Sequence, residues 1–212
     1  MDYVRALDSS PQCSHVFASG SYDHFVKLWD SRQPNPALNI SSRGDDGEND
    51  PIECVLFAKS AALLLAAQGP RVRVWDLLGG GRSVESAHNL FIATSSFACM
   101  YVCMYVCRLL HTFHCHQKNV SGLCLDGSNR FLSCGLDGLL KICNLTELKL
   151  EHGMRFLDPL TAVAVSPEES AGKGSRSIHR KLALAGVDGT VRIRTRGKGR
   201  PRVGETGQSK RC

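Results

Sequence analysis

The chain reads as an all-β fold assembled from one repeated hairpin, and three observations carry that reading. Four times a tight turn leads into a short strand rich in β-branched and basic residues: Ala18 to Asp30, Ala66 to Asp76, Leu132 to Asn144 and Leu182 to Thr195. The copies recur at the period of one supersecondary unit, Trp75 lying 46 positions after Trp29, and self-similarity at such a period outweighs local propensity. The composition agrees, since 212 residues with 42% hydrophobic, 7% aromatic and 20 Gly suit short strands joined by turns.

The first copy is the most complete. Its turn Gly20-Ser21-Tyr22-Asp23 precedes the strand Phe25-Val26-Lys27-Leu28-Trp29-Asp30, whose Val26 and Leu28 alternate as a buried strand requires. A turn Asp accepts hydrogen bonds from nearby backbone amides and from a His or Ser on adjoining strands, and an indole N–H donates into the same network. This pattern resembles the end of a WD repeat, the four-stranded blade of a β-propeller, and the chain is read as about four blades of a larger propeller. Met1 to Arg5 is then the first strand of a blade whose preceding outer strand is missing, which places a truncation upstream.

The second copy closes with Val72-Arg73-Val74-Trp75-Asp76 but has Gly69-Pro70 where the turn Asp is expected, so its network should be weaker. Cys143, the position aligned with Trp75, follows it by 68 residues. Omitting Ser83 to Cys107 restores a blade-length interval and joins Gly79-Gly80-Gly81-Arg82 to Leu109-Leu110-His111-Thr112-Phe113, an outer strand. Within that insert, Cys99 to Cys107 is Cys-Met-Tyr-Val repeated twice and closed by Cys. A tetranucleotide repeat TGTA yields this series in any frame, so the segment is read as a retained intron or low-complexity insert. Two other readings are weaker. Leu90 to Cys107 has no charge but falls short of the about 20 apolar residues of a membrane span, and Cys99, Cys103 and Cys107 before His111, His114, Cys115 and His116 lack the paired spacing of a zinc site. No cofactor, metal or membrane contact is expected.

The third copy offers His116, Ser133 and Asp137 for the blade network, with Cys143 in place of Trp, and the fourth offers Asp188 alone. In the first, the set is Ser19, Asp23 and Trp29. Asp23→Ala is therefore expected to destabilise more than Asp30→Ala, because Asp23 is placed as the buried acceptor. The domain reading is blades over 1–82 and 108–195, the insert over 83–107, and a basic disordered tail over 196–212.

Charge is uneven. The formal net charge is +6, yet residues 173–212 hold 12 Lys or Arg against Asp188 and Glu205. Arg192, Arg194, Arg196, Lys198, Arg200 and Arg202, spaced by Gly and Pro, are candidates for contacts to RNA phosphates, against the plainer reading of a solvated tail. Cys54, Cys124, Cys134 and Cys143 fall at apolar strand positions, where a reduced Cys acts as a small hydrophobe, and a reducing compartment is expected. No apolar signal sequence follows Met1.

A closer resemblance rests on a series of blocks in fixed order: Asp2-Tyr3-Val4-Arg5, Gly20-Ser21-Tyr22-Asp23-His24, Pro51-Ile52-Glu53 with Val55-Leu56, Val72 to Leu77 with trailing glycines, and Val120-Ser121-Gly122-Leu123-Cys124-Leu125. Together they resemble the propeller of the family of the fifteenth U-three small nucleolar RNA-associated protein, over Asp2 to Arg82 and Leu109 to Arg194. The resemblance implies a non-enzymatic scaffold of the small-subunit processome in the nucleus and nucleolus, acting in pre-rRNA transcription and 18S maturation. Its partners would be other WD-repeat and helical-repeat subunits, with pre-rRNA or the U-three snoRNP met indirectly. The chain departs from that family in lacking early blades and the helical C-terminal domain, and in the insert, which breaks the third blade.

Enzymatic motifs are lacking. The His, Ser and Cys residues are accompanied by no nucleophile elbow, phosphate loop or paired-carboxylate pattern, and Gly79 to Arg82 lacks the Lys-Ser/Thr ending of a phosphate loop. The competing class is ubiquitin ligation: Trp29-Asp30-Ser31-Arg32 matches the WD-x-R box of WD-repeat substrate receptors of cullin-RING ligases. An unassigned WD scaffold is the remaining reading.

Overall fold

The structure is a computed structural model that describes residues 2–41, 50–60, 62–77, 107–127, 129–166, 180–196 and 209–211. Among the described residues sixteen strands form four antiparallel sheets of four. The first holds β1 (Val4–Ser9), β2 (Val16–Ser21), β3 (Phe25–Asp30) and β4 (Leu38–Ser41). The second holds β5 (Ile52–Phe57), β6 (Leu63–Gln68), β7 (Arg71–Asp76) and β8 (Arg108–Phe113). β9 (Val120–Leu125), β10 (Arg130–Gly135), β11 (Leu139–Asn144) and β12 (Lys149–Arg155) make the third. β13 (Leu160–Val165), β14 (Arg180–Gly186), β15 (Thr190–Arg196) and β16 (Ser209–Arg211) make the fourth. Consecutive sheets pack face to face, with β1, β5, β9 and β13 side by side along the inner edge. This is the blade arrangement of a β-propeller, spread as an arc of four blades.

Each repeated hairpin is the second and third strand of its sheet, and the turn chemistry explains why. Asp137-Gly138 and Asp188-Gly189 place glycine at φ +74° and +73°, where an L side chain meets its own backbone. The first blade puts His24 there, at φ 68°, and the second puts Gly69 one position earlier, at φ +53°. All four inner strands carry a β-bulge at the same place, leaving Arg5, Glu53, Ser121 and Thr161 without a Cα partner in the ladder. Such a bulge sharpens local twist and turns a side chain out of the pleat.

The core consists of the three seams between blades. Ala18, Val26 and Leu28 of blade 1 pack on Ile52, Val55, Phe57, Leu64 and Trp75 of blade 2. Leu65, Ala67, Val72 and Val74 pack on Val120, Leu123, Phe131 and Cys143. Leu132, Cys134, Leu140 and Ile142 pack on Leu160 and Leu184. Each seam thus pairs the hairpin face of one blade with the inner strand and hairpin of the next. The cysteines expected in apolar positions lie on strands as free thiols, Cys134 and Cys143 fully buried.

Two sequence expectations are corrected. The interruption after Trp75 falls within the second sheet rather than the third blade, because β8 pairs with β7 through Trp75↔Leu109. Each outer strand is read with the following repeat in sequence but hydrogen-bonds to the preceding sheet in space. Ser209–Arg211, assigned to a disordered tail, pairs with β15 as the outer strand of the fourth sheet. An outer strand uses backbone pairing with little burial, so charged residues suit it without any apolar pattern. The segments 83–106 and 197–208 lie outside the described residues.

Candidate functional site

The blade network of the third sheet is the most complete polar cluster of the fold. His116, in the loop before β9, directs Nε2 to Ser133 Oγ of β10 at 2.9 Å and Nδ1 to Asp137 Oδ1 of the β10–β11 turn at 3.0 Å. Asp137 also accepts the backbone N–H of Gln117 at 2.9 Å and of Leu139 at 3.0 Å. The network therefore ties the turn to both the loop and the strand that precede it. The His116 side chain has no solvent exposure, and Ser133 has none.

Burial raises the Asp137 carboxyl, but the N–H of Gln117, the His116 ring and the N–H of Leu139 outweigh it and hold it below the usual carboxylate range. Burial likewise opposes a charged imidazole, yet the Cys115 thiol and the Asp137 carboxylate hold His116 above its ordinary value. Cys143, where blades 1 and 2 carry Trp, is buried beside Cys115, and that contact and burial push its thiol up. Sequence reasoning met Cys115 only as a weak metal-ligand candidate and did not place it in the blade network, although its position next to His116 was visible.

In blade 1 the structure joins Trp29 to Ser19, the indole N–H donating to Ser19 Oγ at 2.8 Å, with Trp29 stacked on Phe17. Asp23 stands apart from that pair, accepting from the Phe25 N–H at 3.1 Å and from Lys27 Nζ at 2.9 Å. In blade 2 the register position of Ser19 is held by Ala66, which offers the Trp75 indole no hydroxyl. In blade 4 Asp188 caps its own turn through Thr190 and meets Arg192 at 2.8 Å.

Asp30 is more buried than Asp23, which reverses the expected order of the two aspartates. It is 2% exposed and accepts from Arg32 Nε at 2.8 Å and the Arg32 N–H at 3.1 Å. These bonds, with burial opposing them, lower its carboxyl to about 2. Arg32, the last residue of the WD-x-R match, is thus engaged within its own blade. Asp30→Ala is expected to cost about 1–3 kcal/mol and Asp23→Ala less, as read by urea unfolding. A depressed folded value contributes stability that is complete above the unfolded value of about 3.9 and disappears as pH falls toward 2. The difference between wild type and Asp30→Asn should therefore close over that window.

Among the basic candidates, Arg192 pairs with Asp158 at 3.0 Å and Asp188, and it lies over the Phe156 ring. Arg194 also stacks on Phe156 and remains exposed. Arg196 ends β15 with its side chain outside the described residues, as are Lys198, Arg200 and Arg202. Of the six, the side chains of Arg192 and Arg194 alone fall among the described residues.

Residues that the sequence did not mark are the bulge side chains. Arg5 pairs with Glu53 across the first seam at 3.4 Å. Ser121 Oγ donates to the Leu160 carbonyl across the third at 2.6 Å. A polar residue after the first apolar position of each inner strand was the available signal. Among the described residues no group of three or more His, Cys, Asp or Glu could hold a metal ion, and no helix is long and apolar enough to cross a membrane.

The WD domain, G-beta repeat family matches residues 1–30 and 107–144. The chain is 33% identical to the U3 small nucleolar RNA-associated protein 15 homolog of Gallus gallus, over 79% of this chain and 26% of that protein. It is 29% identical to the U3 small nucleolar RNA-associated protein 15 of Schizosaccharomyces pombe, over 91% of this chain and 40% of that one. The crystal structure of the RRP9 WD40 repeats superposes with a TM-score of 0.66 at 18% identity, over 91% of this chain and 48% of that chain. The chain spans about a quarter of the length of the vertebrate relatives it matches. With its turns, blade network and sheet order, it is a WD-repeat protein of the β-propeller fold, similar along most of its length to the U3 small nucleolar RNA-associated protein 15 homologues.

Proposed function

We propose that this chain serves as a non-enzymatic scaffold in the nucleolar small-subunit processome, in pre-rRNA transcription and 18S rRNA processing. The similarity over 79% of the chain to a protein named for its association with U3 small nucleolar RNA carries the reading. The polar cluster supports it. Ser133, His116 and Asp137 are the residue types of a hydrolase triad, but the hydroxyl and imidazole are sealed from solvent, so no substrate reaches them. Their bonds hold a blade together, which suits a protein acting through its surfaces. Its partners in this reading are other WD-repeat and helical-repeat subunits, with pre-rRNA or the U3 snoRNP met through them.

Affinity purification of the tagged chain from nuclear extract tests the proposal. U3 RNA and small-subunit precursor proteins should be enriched over a control propeller. Recovery of a cullin and its adaptor without RNA would overturn the reading in favour of a ligase receptor.

A further inference from the structure

Blade 3 departs from blade 1 at the residue that meets the blade serine, and the departure brings two thiols together. In blade 1 the Trp29 indole N–H reaches Ser19 Oγ at 2.8 Å. By ladder register Cys143 takes the place of Trp29, and Ser133 that of Ser19. Cysteine is far smaller than tryptophan, and the sulfur that lies 3.8 Å from Ser133 Oγ belongs to Cys115, in the loop before β9. Cys143 is part of the buried cluster of the second seam, and Cys115 packs against that cluster. The two thiols share the site that one indole fills in blade 1, and they are hydrogen-bonded to each other.

The two sulfurs are unequal. Cys143 is fully buried, whereas Cys115 is half-buried between the exposed His114 and the buried His116. The hydrogen bond from Cys143 and the His116 ring hold the Cys115 thiol below its ordinary value, against the burial that opposes them. The ring is itself anchored on Asp137 at 3.0 Å. A thiolate, not a thiol, is the nucleophile, and a neighbouring imidazolium favours it. Contact with Cys115 and burial push the Cys143 thiol up, so that it stays protonated. One sulfur is thus poised to react and the other to resolve.

We propose that Cys115 and Cys143 are a reversible redox pair that a hydroperoxide converts to a disulfide. Cys115 Sγ attacks one oxygen of hydrogen peroxide, the O–O bond breaks, and the departing hydroxide takes a proton from solvent and leaves as water. Cys115 is then a sulfenic acid. Cys143 Sγ attacks that sulfur, the S–O bond breaks, and the Cys143 proton leaves with the hydroxide as a second water. The two thiols together give up two electrons, which reduce one peroxide, and a dithiol reductant reverses the bond by exchange. The disulfide ties to β11 the loop whose His116 and Gln117 hold Asp137, so oxidation fastens that corner of the blade.

The test treats the full chain with a small excess of hydrogen peroxide, blocks the remaining thiols with N-ethylmaleimide and maps the unreduced peptides by mass spectrometry. A Cys115–Cys143 cross-link should be the dominant disulfide and should vanish with dithiothreitol. Cys124 is the internal control, since it is also half-buried but burial pushes its thiol up. Iodoacetamide should label Cys115 at least about tenfold faster than Cys124. In Cys143→Ala, which keeps a small apolar side chain in the seam and whose fold circular dichroism checks, dimedone should trap a sulfenic acid at Cys115. If that variant does not fold, the wild-type map decides alone. Cys115 paired with another cysteine, Cys115 oxidised while Cys143 stays free, Cys115 reduced while Cys124 oxidises, or equal labelling of Cys115 and Cys124 would each overturn the proposal.

Discussion

Phe131→Ala is expected to lower the unfolding free energy by about 3–5 kcal/mol, the largest single-residue effect in the fold. Phe131 is fully buried in the second seam and meets Phe113 edge to face, with ring centroids 5.3 Å apart. Phe113 lies on β8 and Phe131 on β10, so the ring bridges the outer strand of blade 2 and the hairpin of blade 3. Truncation removes the transfer free energy of the ring and leaves a cavity between two sheets that cannot close up independently. The internal control is Phe17, which holds the same position in blade 1 but is only half-buried, stacked on Trp29. Phe17→Ala should cost about 1 kcal/mol. Urea midpoints for the two variants decide the matter, and equal shifts would refute the assignment of Phe131 to a sealed seam.

Asp137→Ala is expected to cost about 2–4 kcal/mol, because one carboxylate satisfies the His116 ring and two backbone N–H groups at a site closed to water. Asp188→Ala removes a carboxylate on an exposed turn and should cost well under half as much. The pH dependence has a determined sign. His116 is held above its ordinary value, so its contribution is complete below the unfolded value of about 6.5 and is lost as pH rises through the folded value. Asp137 is held below its ordinary value, so its contribution is complete above about 3.9 and is lost as pH falls through the folded one. Stability should therefore decline above about pH 6.5, and His116→Gln should flatten that decline. A wild type that gains stability from pH 6 to 8 through His116 would contradict the network.

Much of the fold was legible because a propeller is written one blade at a time. The turn and strand of each hairpin follow from local chemistry: a positive-φ corner, Asp-Gly in blades 3 and 4, then alternating apolar residues. Ser133, His116 and Asp137 could be grouped from sequence for the same reason, since their spacing is that of the repeat. What misled was the assumption that every turn Asp plays the same part. Asp23 and Asp30 are both acceptors near one hairpin, and only the packing of Arg32 over Asp30 decides which is buried.

The sequence by itself determined the all-β class and the count of hairpins, because these depend on interactions within a few residues or within one period. Only the tertiary structure decided that β8 belongs to the second sheet and β16 to the fourth, that the four bulges align, and which residues meet across each seam. Those outcomes depend on which sheet lies across the seam. Contact across a seam, which no local pattern encodes, decides which sheet a given Val or Leu packs against.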